Sequence, residues 1–176
     1  MKRKSMKEIS ENVVKDYLDS GKRHLVITGG RGIGKSTLVS YLLNGRTPEG
    51  LCSRLVKDDD GSHPVRVVMK RWGDDSDFVI GLPEGGRCRP VKEGFHRAET
   101  FLRQMCDSTG EWFVVDEIGY LECSCPDYCQ QLNILFDSKN VLAVLRKDNH
   151  DFLVSIRSRE DVFLVDLDAY HAKGED

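Results

Sequence analysis

Long apolar runs are missing from this chain. No stretch approaches the roughly 20 consecutive apolar residues that carry a helix across a bilayer, so no membrane-spanning helix is expected. A strong excess of one charge is missing as well. The 26 basic and 29 acidic side chains leave a net charge of −3, which does not indicate a broadly basic, nucleic-acid-gripping surface. The opening Met1-Lys2-Arg3-Lys4 runs into Glu8 and Glu11 with no apolar segment between. It does not read as a secretory leader, and a cytoplasmic location is expected. Among the six cysteines there is no C-x₂-C pair. Cys123-Ser-Cys125-Pro-Asp-Tyr-Cys129 groups three thiols with no fourth ligand at a recognised zinc spacing, so ordinary or redox-sensitive thiols are expected rather than a metal centre. The five histidines are scattered and draw no cluster.

What is present describes a soluble globular chain of 176 residues, 39% hydrophobic and 31% charged. That length is enough for one domain with a substantial core, read here as residues 1–176 with an N-terminal helical extension over 1–22. The most informative segment is Gly29-Gly30-Arg31-Gly32-Ile33-Gly34-Lys35-Ser36. Its spacing, G-x-x-x-x-G-K-[ST], lets successive backbone N–H groups curl around a nucleotide β-phosphate. Lys35 then reaches the β/γ oxygens, and the Ser36 hydroxyl is placed for Mg²⁺. The apolar run Leu25-Val26-Ile27 precedes it as a strand. A helix over Lys35 to Asn44 follows, so its N-terminal field adds to the phosphate site. Gly29, Gly30, Arg31, Gly32, Ile33, Gly34, Lys35, Ser36 and Thr37 are the candidate nucleotide-binding residues.

Apolar residues Ile9, Val13, Val14, Tyr17 and Leu18 draw one face of a helix over Met6 to Leu18, closed by Gly21. Packing is the commoner use of such a face, and a protein partner is the alternative. Cys52 to Val56, Val65 to Trp72 and Phe78 to Gly81 read as strands of an antiparallel meander, the last ended by Pro83. Asp58-Asp59-Asp60 beside Gly61 reads as a solvated hairpin tip. Helices are expected over Glu93 to Cys106, Pro126 to Phe136 and Asp151 to Arg157. Strands are expected over Trp112 to Val115, Asn140 to Leu145 and Val162 to Val165. Strands alternating with helices predict a mainly parallel sheet covered on both faces.

Asp116-Glu117 follows the apolar run Trp112-Phe-Val-Val115, where a buried strand delivers carboxylates to its carboxyl end. Asp116 is the candidate Mg²⁺ ligand together with Ser36, and Glu117 is the candidate base for the attacking water. Asp116-Glu-Ile-Gly119 also satisfies D-x-x-G, but the guanine-reading Asn-Lys-x-Asp is absent, which disfavours a signalling GTPase.

Val114-Val-Asp-Glu-Ile-Gly-Tyr-Leu-Glu122 resembles the Val-Ile-Asp-Glu-Ile-Gly-x-Met/Leu-Glu segment of the small P-loop nucleoside-triphosphatases of the thermophilic and cancer-related type. Gly50-Leu-Cys-Ser53 is similar to that family's Gly-Phe-Tyr-Thr, and Ile156-Arg-Ser-Arg-Glu-Asp161 to its closing Ile-Arg-x-Arg-x-Asp. The likeness covers roughly residues 23–167. It implies an α/β P-loop fold of RecA-like type, with a mainly parallel sheet and a short antiparallel hairpin insertion. It also implies Mg²⁺ dependence and slow hydrolysis of ATP, GTP or related triphosphates. A further cation is expected on the γ-phosphate. Arg146, Arg157 and Arg159 are candidates, and the resemblance favours Arg157 and Arg159 as catalytic beside Lys35 and Glu117. Arg54, the Leu145-Arg146-Lys147 segment and the missing late Asn-Arg pair depart from the family pattern. Two other readings share the phosphate loop: a nucleotide or small-molecule kinase, and a nucleotide-gated binding module or metallochaperone.

Overall fold

The computed structural model describes residues 5–172. The basic opening over residues 1–4 lies outside them. Helix α1, Met6–Ser20, starts at a capping box. The Ser5 hydroxyl accepts from the Glu8 amide while the Glu8 carboxylate accepts from the Ser5 amide, and Gly21 closes the helix in the left-handed region. Strand β1, His24–Thr28, is wholly buried and feeds helix α2, Lys35–Leu43. Strands β2 (Glu49–Lys57), β3 (Pro64–Arg71), β4 (Phe78–Glu84) and β5 (Arg87–Pro90) then form a meander. Helix α3 (Lys92–Asp107), strand β6 (Trp112–Ile118), the short α4 (Tyr120–Cys123) and helix α5 (Pro126–Ser138) follow. Strand β7 (Asn140–Leu145), helix α6 (Asp151–Arg157), strand β8 (Val162–Asp166) and α7 (Leu167–Ala172) complete the described elements.

The strands lie in one sheet of order β5-β4-β3-β2-β6-β7-β1-β8. Pairing is parallel from β2 through β8 and antiparallel from β2 out to β5. The expected hairpin insertion is therefore a continuation of the main sheet rather than a separate layer. Strand β7 stands between β1 and β6, which spaces the phosphate-loop strand from the acidic strand by two ladder widths, about 10 Å.

Two apolar layers sandwich the sheet, and alternation along each strand decides the side. Val26, Phe113, Val115, Val141, Ala143 and Leu145 face α3 and α5, meeting Phe95, Leu102, Tyr128 and Leu132. Leu25, Ile27, Val114, Leu142 and Val144 face α1 and α2, meeting Ile9, Val13, Leu38 and Val39. Helix α1 thus buries Ile9 and Val13 fully and packs Tyr17 against the sheet, while Val14 and Leu18 of the same apolar face stay exposed. It is a packing element. Gly94 lets α3 lie close on β4, because a Cβ there would fall 2.0 Å from the Val79 carbonyl oxygen.

Three details differ from the sequence reading. Strand β4 runs through Pro83 to Glu84, because beyond Gly81 it pairs only with β5. The missing N–H therefore breaks no ladder toward β3. Strand β5 was not expected; Gly85 and Gly86 both take positive φ in the two-residue turn that joins it to β4. Helices α4 and α7 are single turns too short to show a period. No helix of the described residues is long and apolar enough to cross a membrane.

Candidate active site

The loop between β1 and α2 needs backbone that side chains resist: Gly32 and Gly34 sit at φ +73° and +104°. Gly34 caps α2 without any side-chain hydrogen bond. The first bond from the helix interior runs from the Leu38 amide to the Gly34 carbonyl, which leaves the preceding amides pointing out of the N-terminus as an anion cradle. Gly29, Gly30, Arg31, Gly32, Gly34, Lys35, Ser36 and Thr37 line one cavity of about 530 Å³, together with Glu117, Arg146, Lys147 and Asp148. Ile33 is half-buried and packs inward on the α1/α2 layer. Its side chain supports the loop from beneath.

Lys35 is nearly buried, and its ammonium donates to the Gly29 and Gly30 carbonyls at 3.0 Å each. The same nitrogen lies 3.8 Å from a Glu117 carboxylate oxygen. The other Glu117 oxygen lies 3.9 Å from Arg146 Nε. Both separations exceed hydrogen-bond length, so the carboxylate stands between two cations without being tied to either. Ser53 on β2 braces the Glu117 main chain. The Ser53 hydroxyl is 3.3 Å from the Glu117 carbonyl and 3.4 Å from Glu122 Oε1.

Asp116 stands beside Glu117 on β6 and is buried, at 8% exposure. Burial pushes its carboxyl above the ordinary range, a hydrogen bond from Ser36 pulls it down, the Glu117 charge raises it, and the Lys35 charge lowers it. A buried carboxylate beside a helix-terminal hydroxyl is a pair of hard oxygen donors, which fits Mg²⁺ and suits soft metals poorly.

Outside the candidate set, Asp168 touches the loop and Lys147 joins it there. Asp168 on α7 accepts from the Gly30 amide at 3.0 Å and from the Lys147 ammonium at 2.8 Å. Lys147 also binds Asp166 at 2.9 Å. The Lys147 bond, first of several contributions, holds Asp168 below the usual carboxylate range. Only topology reveals Asp168, since β8 ends beside the loop and leads into α7.

The favoured arginine pair is not brought to the loop. Arg159 donates to Asp161 at 2.9 and 3.0 Å and to Asp137 at 2.9 Å. Asp161 in turn meets His24, the first residue of β1. That is the amino edge of the sheet, about 13 Å of strand away from Thr28. Arg157 donates to the Asp148 carbonyl at 2.6 Å and lines a neighbouring cavity with Thr28, Lys147 and Asp166. Arg146 alone of the three lines the loop cavity; its guanidinium also sits 5.4 Å over the Tyr120 ring.

The clustered thiols behave as core. Cys123 and Cys129 are buried, and Cys129 Sγ donates to the Glu122 carbonyl at 3.6 Å. A hydrogen bond with Cys129, then burial, pushes Cys123 far up, and burial pushes Cys125 up to about 11. The same bond pulls Cys129 down. Among the described residues, the one trio with metal-ligand spacing is the half-buried Asp58 with the exposed Asp60 and His63. Asp58 and Asp60 there accept from the His63 and Ser62 amides, closing the β2–β3 turn as an ordinary capped tip.

A family model described as NTPase matches residues 82–171, just over half of the chain. The chain belongs to this NTPase family. The matched segment of this NTPase carries the acidic pair and every strand from β6 to β8. The NTPase is 26% identical over 159 residues to the Nucleoside-triphosphatase THEP1 of Thermotoga maritima, covering 81% of this chain and 85% of that protein. The protein of the same name from Thermotoga sp. strain RQ2 matches to the same extent. Among solved structures, THEP1 from the hyperthermophile Aquifex aeolicus superposes with a TM-score of 0.65 over 82% of this chain and 89% of that one, at 19% identity. The eight-stranded sheet is thus a P-loop NTPase fold.

Proposed function

We propose that this NTPase is a Mg²⁺-dependent hydrolase of free nucleoside triphosphates, ATP, GTP or related nucleotides of the cytoplasm, releasing the diphosphate and inorganic phosphate. The observation that carries the reading is the Glu117 carboxylate poised 3.8 Å from the Lys35 ammonium across an uncapped helix N-terminus. The loop from Gly29 to Thr37 binds and orients the triphosphate tail through those of its amides that carry no partner in the fold, the Gly30 amide being held by Asp168. Lys35 exchanges its two carbonyl partners for β/γ oxygens and stabilises charge as it develops there. Ser36 and Asp116 would hold Mg²⁺, which supplies charge neutralisation on the phosphates when bound. Glu117 accepts a proton from the water that attacks phosphorus. Its distance from both cations leaves its lone pairs available for that task. Arg146, rather than Arg157 or Arg159, is the cation we assign to the departing γ-phosphoryl group.

Phosphate release over a panel of nucleoside triphosphates, with and without Mg²⁺, tests this for wild type and Lys35→Ala. Turnover by wild type that vanishes with chelator and falls at least about 10²-fold in the variant is expected. Equal release by both proteins would refute the reading.

A further inference from the structure

A second cavity of about 430 Å³ lies on the other side of the acidic pair. It shares Arg31, Ser36, Glu117 and Arg146 with the loop cavity, so the two meet where the γ-phosphate of a loop-bound triphosphate would end. Its outer wall is the antiparallel part of the sheet: β2, the start of β3 and the β4–β5 turn. That wall is tied to the acidic side by a hydrogen bond from the Cys88 amide to the Tyr120 hydroxyl, at 3.0 Å.

Hydrolysis needs no such space. A water molecule occupies about 30 Å³, and this cavity falls in the range of small-molecule sites. Its lining is also wrong for water alone. Leu55, Pro64 and Val67 give it an apolar side, while Arg31, Arg54, Arg87 and Arg146 give it four guanidinium groups. Arg31 and Arg87 have no ion-pair partner among the described residues, and Arg54 is bound to Asp77 at an exposed site, a link worth little. Guanidinium groups around a half-apolar pocket suit a small organic molecule bearing a phosphate.

We propose that this pocket receives a phosphate-bearing small alcohol, of sugar-phosphate or mononucleotide size, and that its hydroxyl takes the γ-phosphoryl group in place of water. The protein is then a phosphotransferase as well as a hydrolase. Arg54 and Arg87 hold the acceptor's phosphate at the mouth, and its hydroxyl reaches Glu117 at the floor. The acceptor oxygen forms the new bond to the γ-phosphorus. The bond from that phosphorus to the β,γ-bridging oxygen breaks, its electron pair leaves with the diphosphate, and the hydroxyl proton passes to Glu117 and on to solvent. No other reactant is consumed. The inference rests on the triphosphate lying on the loop.

The test incubates wild type with γ-labelled ATP, Mg²⁺ and, one at a time, ribose 5-phosphate, glucose 6-phosphate and the four common nucleoside 5′-monophosphates. Label is expected in at least one acceptor, and the matching inorganic phosphate should fall as that acceptor saturates. Arg54→Ala and Arg87→Ala are expected to raise the half-saturating acceptor concentration about tenfold or more, with phosphate release in the absence of acceptor unchanged within about twofold. Label found only in inorganic phosphate for every acceptor would overturn the proposal. Transfer that both arginine variants leave intact would overturn this location for it. Absence of triphosphate binding and of phosphate release without acceptor would instead remove the hydrolase reading, and this inference with it.

Discussion

Replacing Glu117 by glutamine keeps the side chain's shape while removing one negative charge and one proton acceptor. Its effects on folding, binding and rate separate cleanly. The carboxylate is one-third exposed and stands 3.8 and 3.9 Å from its two cations, so the pairs contribute at most about 1 kcal/mol to stability. The thermal midpoint should move by no more than a few degrees. Triphosphate binding should persist or tighten, since a negative charge is removed beside an anionic ligand. The rate should not survive. A positioned base contributes about 10²- to 10⁴-fold, or about 3–5 kcal/mol of barrier. Single-turnover phosphate release with saturating triphosphate and Mg²⁺ reads that loss, and calorimetry on the same samples reads affinity. A rate within tenfold of wild type, with binding intact, would refute Glu117 as the base.

Arg159→Ala should leave phosphate release within about twofold while lowering stability by about 1–3 kcal/mol, because Asp161 loses its guanidinium partner at the partly buried amino edge; a large fall in turnover would contradict the placement. Gly94→Ala should cost about 1–3 kcal/mol in urea unfolding, although alanine favours helices, because its Cβ would meet the Val79 carbonyl; an unchanged midpoint would show that α3 shifts freely. Stability should also fall as pH drops below about 6.5. The His24 ring is fully buried, and burial, opposed by Asp161, lowers its affinity for protons. Its Nδ1 accepts from the Val141 amide, a bond that protonation would break. The unfolded chain therefore takes up a proton that the folded one refuses, a slope of up to about 1.4 kcal/mol per pH unit. Asp161, held at about 2 chiefly by its bond from Arg159, adds a further loss as pH falls from about 4 toward that value. Urea midpoints for wild type and His24→Gln between pH 5 and 8 should diverge in slope; parallel curves would rule out His24.

The parts of the candidate site that lie together in the chain could be proposed before any fold was known. Gly29 to Thr37 is one contiguous loop, and Asp116-Glu117 ends one apolar run, so local chemistry sufficed for both. The alternation of strands and helices likewise pointed to the parallel sheet. Strand β5 escaped because four residues, Arg87 to Pro90, show no period, although Gly85-Gly86 carried the hairpin signature. Arg159 lies away from the loop for a topological reason. The passage from a crossover helix into the next parallel strand lies at the amino edge of the sheet, and phosphate sites lie at the carboxyl edge. Ser158 to Asp161 is such a passage, so Arg159 was unsuited to the role. Arg146 leaves the carboxyl end of β7 and was favourably placed by the same rule. Asp168 and Lys147 meet the loop only through the closing turn of the fold, which no local pattern encodes.

Strand β7 contributes no group to the phosphate loop or the acidic pair from its paired core, yet it works as a gauge block. The phosphate loop leaves one neighbour and the acidic residues stand on the other, so the distance between loop and acidic pair takes its scale from backbone hydrogen bonds. Rotamer changes at Lys35 or Glu117 can tune that dimension but not set it. The fully buried Ala143 at the middle of β7 faces the α3 and α5 layer, so a bulkier residue there would press those helices off the sheet and leave the strand spacing to the backbone ladder.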